Sequence, residues 1–172
     1  NGYADIAKQA DISAVLHLGD YIYEYPKGFY RDNDLKDERP IFPENEIISL
    51  EDYRLRYACY RTDIDLQECH RQHPFIAVWD DHEIADNSWK GGARFHFPSK
   101  GSYIERKMSA VRAYHEWMPI RDDDSNELDS QLRINRRFEF GKLFDLNMLD
   151  TRIFGREKLD ASASNEPERQ LL

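Results

Sequence analysis

Apolar positions change period several times along the chain, and each change marks an element. Tyr3, Ile6, Ala7 and Ala10 have helical spacing, which predicts a helix over 3–10. A short strand follows over Ser13–His17, whose unbroken Ala14-Val15-Leu16 suits a strand covered on both faces, as in a parallel sheet. Gly19 breaks it, with Asp20 just beyond. Residues 24–50 form a long polar loop with Pro26, Pro40, Pro43 and the charged run Arg31–Arg39, read as a lid or rim or as disorder. Ser49-Leu50-Glu51-Asp52 opens a helix continued by Tyr53, Arg54, Tyr57 and Ala58. Thr62-Asp63-Ile64-Asp65 repeats the signal for a second helix to about Gln72, where His73-Pro74 ends it. Its sparse apolar positions, Ile64, Leu66 and Cys69, predict a surface helix. Phe75–Trp79 is a second buried-type strand.

Strand, helical connection and strand read as a crossover unit placing two parallel strands in one sheet. In open α/β sheets ligands gather beyond the carboxyl ends of such strands. Both candidate ligand clusters fall there: Gly19-Asp20 with Tyr23 after the first strand, and Asp80-Asp81-His82-Glu83 with Asp86-Asn87 after the second. Adjacent carboxylates repel unless a cation sits between them, so the two strand ends predict one metal site. The competing readings are a helix cap at Asp20 with Tyr21 and Tyr23 as core aromatics, and a cap-rich turn at 80–83.

Downstream, residues 80–98 lack periodicity and read as a loop. Ser102–Trp117 is an amphipathic helix, with Tyr103, Ile104, Met108, Val111, Tyr114 and Trp117 near one stripe, stopped by Met118-Pro119. Asp122–Glu127 is an acidic turn without the spaced ligands and glycine of a calcium loop. Leu132–Phe140 and Leu143–Leu149 form a hairpin about Gly141-Lys142. Residues 155–166 are loop, and Asn165 with Glu168 is read as the cap of a further helix. There is no internal repeat and no domain boundary.

Composition narrows the chemistry. The 172 residues carry a net charge of −9, which argues against nucleic acid or an anionic membrane as the main partner. An anionic small substrate stays open, because bound metal ions reverse the local sign. Ten Tyr, nine Phe and three Trp supply the area for a core. Cys59 and Cys69 do not make a disulfide scaffold and read as buried free thiols. No apolar run reaches membrane-spanning length. His17 reads as a packed or supporting histidine, and His115 as structural. His70 and His73 sit at a helix end, where positive charge is favourable. Arg152 reads as an anion ligand or as an ion pair within Asp150-Thr151-Arg152. A nucleophilic-serine turn and a phosphate-cradling glycine loop are both missing.

The segments Leu16-His17-Leu18-Gly19-Asp20-Tyr21-Ile22-Tyr23-Glu24 and Trp79-Asp80-Asp81-His82-Glu83 with Asn87 resemble the alkaline phosphatase D (PhoD-like) metallophosphatases. Asp52-Tyr53-Arg54 with Tyr57, Ala113-Tyr114 with Met118-Pro119, and Met148-Leu149-Asp150-Thr151-Arg152 extend the match in the family's order. The resemblance implies an α/β fold, an α+β sandwich of the calcineurin-like metallophosphoesterase type, with metals at the strand ends. It implies hydrolysis of phosphate monoesters or diesters at a dinuclear site, outside the cytoplasm. By it Asp20 bridges two metals, Tyr23 binds ferric iron, Asp81 binds the second metal, and His82 contacts the phosphate and assists the leaving group; the family is associated with ferric iron and calcium, and other divalent metals are possible. Neither Cys59 nor Cys69 holds the place of the family's upstream cysteine, and nothing after Asp150 resembles its downstream ligand loops. The expectation is therefore one catalytic domain, truncated at both ends, incomplete and weakly active by itself. The alternative is a non-catalytic metal-binding or interaction module of the same fold.

Overall fold

The computed structural model of the chain describes residues 2–30, 40–121, 132 and 134–159. Helix α1 spans Gly2–Ala7 and strand β1 spans Val15–His17. Helices α2, Leu50–Tyr60, and α3, Ile64–Gln72, then lead to strand β2, Phe75–Ala77. A 3₁₀ turn at Pro98–Lys100 precedes helix α4, Tyr103–Trp117, and the hairpin of β3, Arg136–Phe140, and β4, Phe144–Met148.

The crossover unit forms as its pattern predicts. Strands β1 and β2 are parallel, with Val15, Leu16 and His17 opposite Phe75, Ile76 and Ala77. Strands β3 and β4 pair antiparallel, Phe138 opposite Leu146. The architecture is thus mixed helix and strand, with two two-stranded sheets among the described residues. Arg136 donates to the carbonyl of Ala77 and so joins the hairpin to the end of β2.

Helix starts are set by side-chain caps on otherwise unpaired amides. At α2 the capping box is complete: Ser49 accepts from the Asp52 amide, and Asp52 accepts from the Ser49 amide at 3.0 Å. At α3 the cap is Asp63 rather than Thr62, because the Thr62 hydroxyl donates back to the Cys59 carbonyl at 2.7 Å. Ser102 caps α4.

The core gathers the aromatic residues of both central helices. Tyr53 and Tyr57 of α2, Tyr114 of α4 and Trp79 are almost fully buried, and Tyr114 meets Trp79 edge-on at 5.2 Å. Burial of their apolar faces stabilises the fold, offset at Tyr57, Tyr114 and Trp79 by a buried polar atom without a partner among the described residues. Arg106 of α4 lies within this core, donating to Tyr53 Oη at 3.0 Å and to the Ile47 carbonyl at 2.8 Å. Tyr53 Oη in turn donates to the Ile84 carbonyl. Helices α2 and α4 therefore hold the turn that follows β2.

Four expectations need correction. Helix α1 stops at Ala7, where the Gln9 amide turns back to the Ile6 carbonyl, so Ala10 lies outside it. Strand β1 is not covered on both faces among the described residues, since Leu16 is 47% exposed. His70 does not serve the helix end as a cation: burial, Arg61 and His17 push it down to about 4, and its ring stacks on Phe75 and pairs with Tyr21 Oη at 2.9 Å. His73 spends its Nε2 on the Ile6 carbonyl. Both cysteines are free as expected, though only Cys69 is buried. The expected acidic turn at 122–127 and the helix cap at 165–168 lie outside the described residues.

Candidate metal centre

Beyond β1 the chain leaves ordinary backbone space. Gly19 has φ +101° and Asp20 φ +56°, and a Cβ on Gly19 would collide with the backbone and Cβ of Asp80. Glycine is required because two loops are pressed together there. Glu83, fully buried, holds the contact: it accepts from the Tyr21 amide at 2.5 Å and from the Asp80 amide at 2.9 Å. Burial pushes its carboxyl up to about 7 despite these donors.

The turn after β2 is closed by its own backbone, with the Ile84 and Ala85 amides both donating to the Asp81 carbonyl at 2.8 Å. Asp81 accepts from the Asn87 amide through its side chain, and Asn87 takes φ +50°. One ligand atom each from Asp20, Asp81 and His82 then falls within 4.8 Å of the others. Tyr23 joins them: its hydroxyl donates to Asp20 Oδ2 at 3.4 Å, and its ring lies 4.4 Å from the His82 ring. The structure thus brings together all four residues expected at the site.

Electrostatics favour a cation at this point. Burial raises the Asp20 carboxyl, and burial with the neighbouring Asp80 raises that of Asp81. Asp20 Oδ1 is shut off from solvent without a hydrogen-bond partner. A buried acceptor left unmatched is costly, and a metal ion satisfies it while making the charged carboxylates favourable. The residues fit a hard, oxygen-seeking cation.

Three supporting groups were not legible as such. Glu24, buried, accepts from His82 Nδ1 at 2.7 Å and from the Asp86 amide at 2.7 Å. Burial opposes a charge on His82, but Glu24, Asp81 and Asp20 outweigh it and push the ring up to about 9. Arg56 is buried beneath the loop, donating to the carbonyls of Tyr23, Tyr25, Phe42, Pro43 and Asn45. The described parts of the 24–50 loop are therefore an anchored rim. Arg152 corrects a further expectation: it does not pair within Asp150-Thr151-Arg152 but grips Asp80 with two bonds of 2.5 and 2.9 Å, 3.6 Å from Asp81. Asp150 instead accepts from the amides of Arg152, Ile153 and Phe154. Local spacing carries no signal for these pairings.

Comparison with known proteins gives the chain's family. Alkaline phosphatase D of Bacillus subtilis (strain 168) is 36% identical over 172 positions, covering 96% of this chain and 27% of that protein. The solved structure of PhoD superposes with a TM-score of 0.71 at 35% identity, over 87% of this chain and 28% of its own. The chain thus spans little more than a quarter of the length of these relatives. The family model described as PhoD-like phosphatase matches residues 1–172, and the chain belongs to that family.

Proposed function

We propose that this chain contributes part of a dinuclear metal centre that hydrolyses phosphate monoesters or diesters. The observation that carries the reading is the convergence of Asp20, Asp81 and His82 on one point, with Asp20 Oδ1 buried and unmatched. Asp20 and Asp81 would hold the metals and Tyr23 would join the iron-binding one, in a calcineurin-like arrangement. Ferric iron and calcium are the ions that the family resemblance suggests, and export from the cytoplasm is the setting it suggests. No helix among the described residues is long and apolar enough to cross a membrane. When bound, the metals would supply Lewis acidity toward the phosphoryl oxygens.

The chain's own residues account for the proton. His82 is held as an imidazolium at neutral pH, its Nδ1–H on Glu24. That leaves Nε2–H to face the ester and pass its proton to the leaving oxygen as the P–O bond breaks. Glu24 fixes the ring's orientation through that bond. The Glu24–His82 hydrogen bond fixes the imidazole toward the point where Asp20 and Asp81 converge, which supports catalysis over the binding-module alternative.

Net charge makes the metals necessary. Asp20, Glu24, Asp80, Asp81 and Glu83 surround the centre, and Arg152 is already engaged by Asp80. An anionic ester approaches such a site only when cations reverse its sign. The test is hydrolysis of bis(p-nitrophenyl) phosphate by the complete protein before and after chelation. Loss on chelation and return with metal supports the reading, and full activity in the chelated protein refutes it.

A further inference from the structure

Beside the metal centre the rim carries an aromatic wall that the proton transfer leaves unused. Tyr25 and Phe29 stack in parallel, 3.7 Å between centroids and 8° between planes. Tyr30 stands nearly perpendicular to Tyr23, Tyr25 and Phe29, at 5.8, 5.5 and 5.4 Å. The wall starts at the His82 ring, 4.4 Å from Tyr23 and 5.4 Å from Tyr25. Among the described residues its outer end is uncovered, with Phe29 48% and Tyr30 55% exposed.

The local sequence builds this wall. Pro26-Lys27-Gly28-Phe29 closes a turn through the Phe29 amide and Pro26 carbonyl at 3.2 Å, with Gly28 at φ +83° as a type II turn requires. The Lys27 amide bonds the Glu44 carbonyl at 2.9 Å, and Arg56 clasps the carbonyls of Tyr23 and Tyr25 from below. Half-exposed rings fixed by a buried arginine are prepared to meet a ligand. Glu24 and Asp86, neither of them a proposed metal ligand, flank Tyr25 and Tyr30 and make an anionic ligand unwelcome there.

We propose that Tyr25, Phe29 and Tyr30 form the subsite for the alcohol portion of the ester, and that it takes a flat, non-anionic ring such as an aryl or heteroaryl group. The inference rests on the reading of Asp20, Asp81 and His82 as the site that holds the phosphate, since the wall begins at the His82 ring. Stacking on a ring face discriminates a planar group from an aliphatic one of similar area.

The test uses the complete, metal-loaded protein and two monoesters, phenyl and hexafluoroisopropyl phosphate, whose alcohols are close in acidity. The expected result is a higher kcat/KM for the phenyl ester, with the preference falling about five-fold in Phe29→Leu and in Tyr30→Leu, mainly through KM. Leucine keeps the apolar volume and removes the flat face. 4-Carboxyphenyl phosphate, with a better leaving group, should nonetheless be the poorer substrate. A preference unchanged in both variants, or a 4-carboxyphenyl ester cleaved faster, overturns the subsite. Hydrolysis of these esters that persists in Asp20→Asn overturns the site reading itself, and the two failures are thereby distinguished.

Discussion

Glu24 and His82 lie 58 residues apart in the chain, and the Glu24 carboxylate accepts a hydrogen bond from His82 Nδ1 at 2.7 Å. Each stands just beyond one of the two parallel strands, so the bond links the two halves of the site across the sheet end. Glu24→Gln keeps a neutral acceptor but removes the charge that stabilises the imidazolium. We expect kcat to fall about 100-fold. His82 must carry its proton to act as the acid, so activity declines as pH rises through its folded value of about 9. In the variant that alkaline limb moves to lower pH, which a kcat/KM profile reads directly; an unmoved limb would show that His82 is not the acid.

Gly19 makes a backbone prediction of the same kind. Its φ of +101° disfavours any side chain, and a methyl group added there would run into the Asp80 backbone, so alanine has no room. Gly19→Ala should destabilise the fold by at least about 2 kcal/mol. Denaturant unfolding checks this, and a midpoint equal to the parent's would contradict the close packing of the two loops.

His70 governs a stability effect away from the site. Unfolded, the ring takes its proton near its ordinary 6.5; folded, burial and the neighbouring Arg61 and His17 defer this to about 4. Between those values the unfolded state holds more protons, so His70's contribution is present above pH 6.5 and is lost as pH falls toward 4. In His70→Gln, which still accepts from Tyr21 Oη, the fall in Tm across that window should be smaller. Equal slopes for parent and variant would contradict the burial argument.

Much of the fold was legible because its causes are local. Ser49 and Asp52 cap α2 through groups three residues apart, and the apolar runs at 14–16 and 75–79 marked both parallel strands. Asp20, Tyr23, Asp81 and His82 were found because each follows the end of one of those strands. The Thr62–Asp63 region shows the limit: two adjacent cap residues compete, and only the bond to Cys59 decides between them. The roles of Glu24, Glu83 and Arg152 were not legible for a different reason. Their partners lie 58, 62 and 72 residues away, and a carboxylate's distant partner leaves no mark on local spacing.

Tyr23 tests the identity of the metal. Burial and Asp20 raise its hydroxyl above the ordinary value, so only a strong Lewis acid would ionise it. The complete protein loaded with ferric iron should show a visible tyrosinate charge-transfer band that Tyr23→Phe removes. A band that survives the substitution would assign the iron to another ligand.

The central claim is that Asp20 and Asp81 hold the metal on which hydrolysis depends. Bound metal and phosphate release, measured on one preparation of the complete protein, test it most directly in Asp20→Asn and Asp81→Asn. We predict that each variant loses bound metal and that turnover falls by about 1,000-fold or more, in line with the several kcal/mol that metal charge stabilisation supplies. Either variant retaining the full metal complement with undiminished phosphate release would contradict the account.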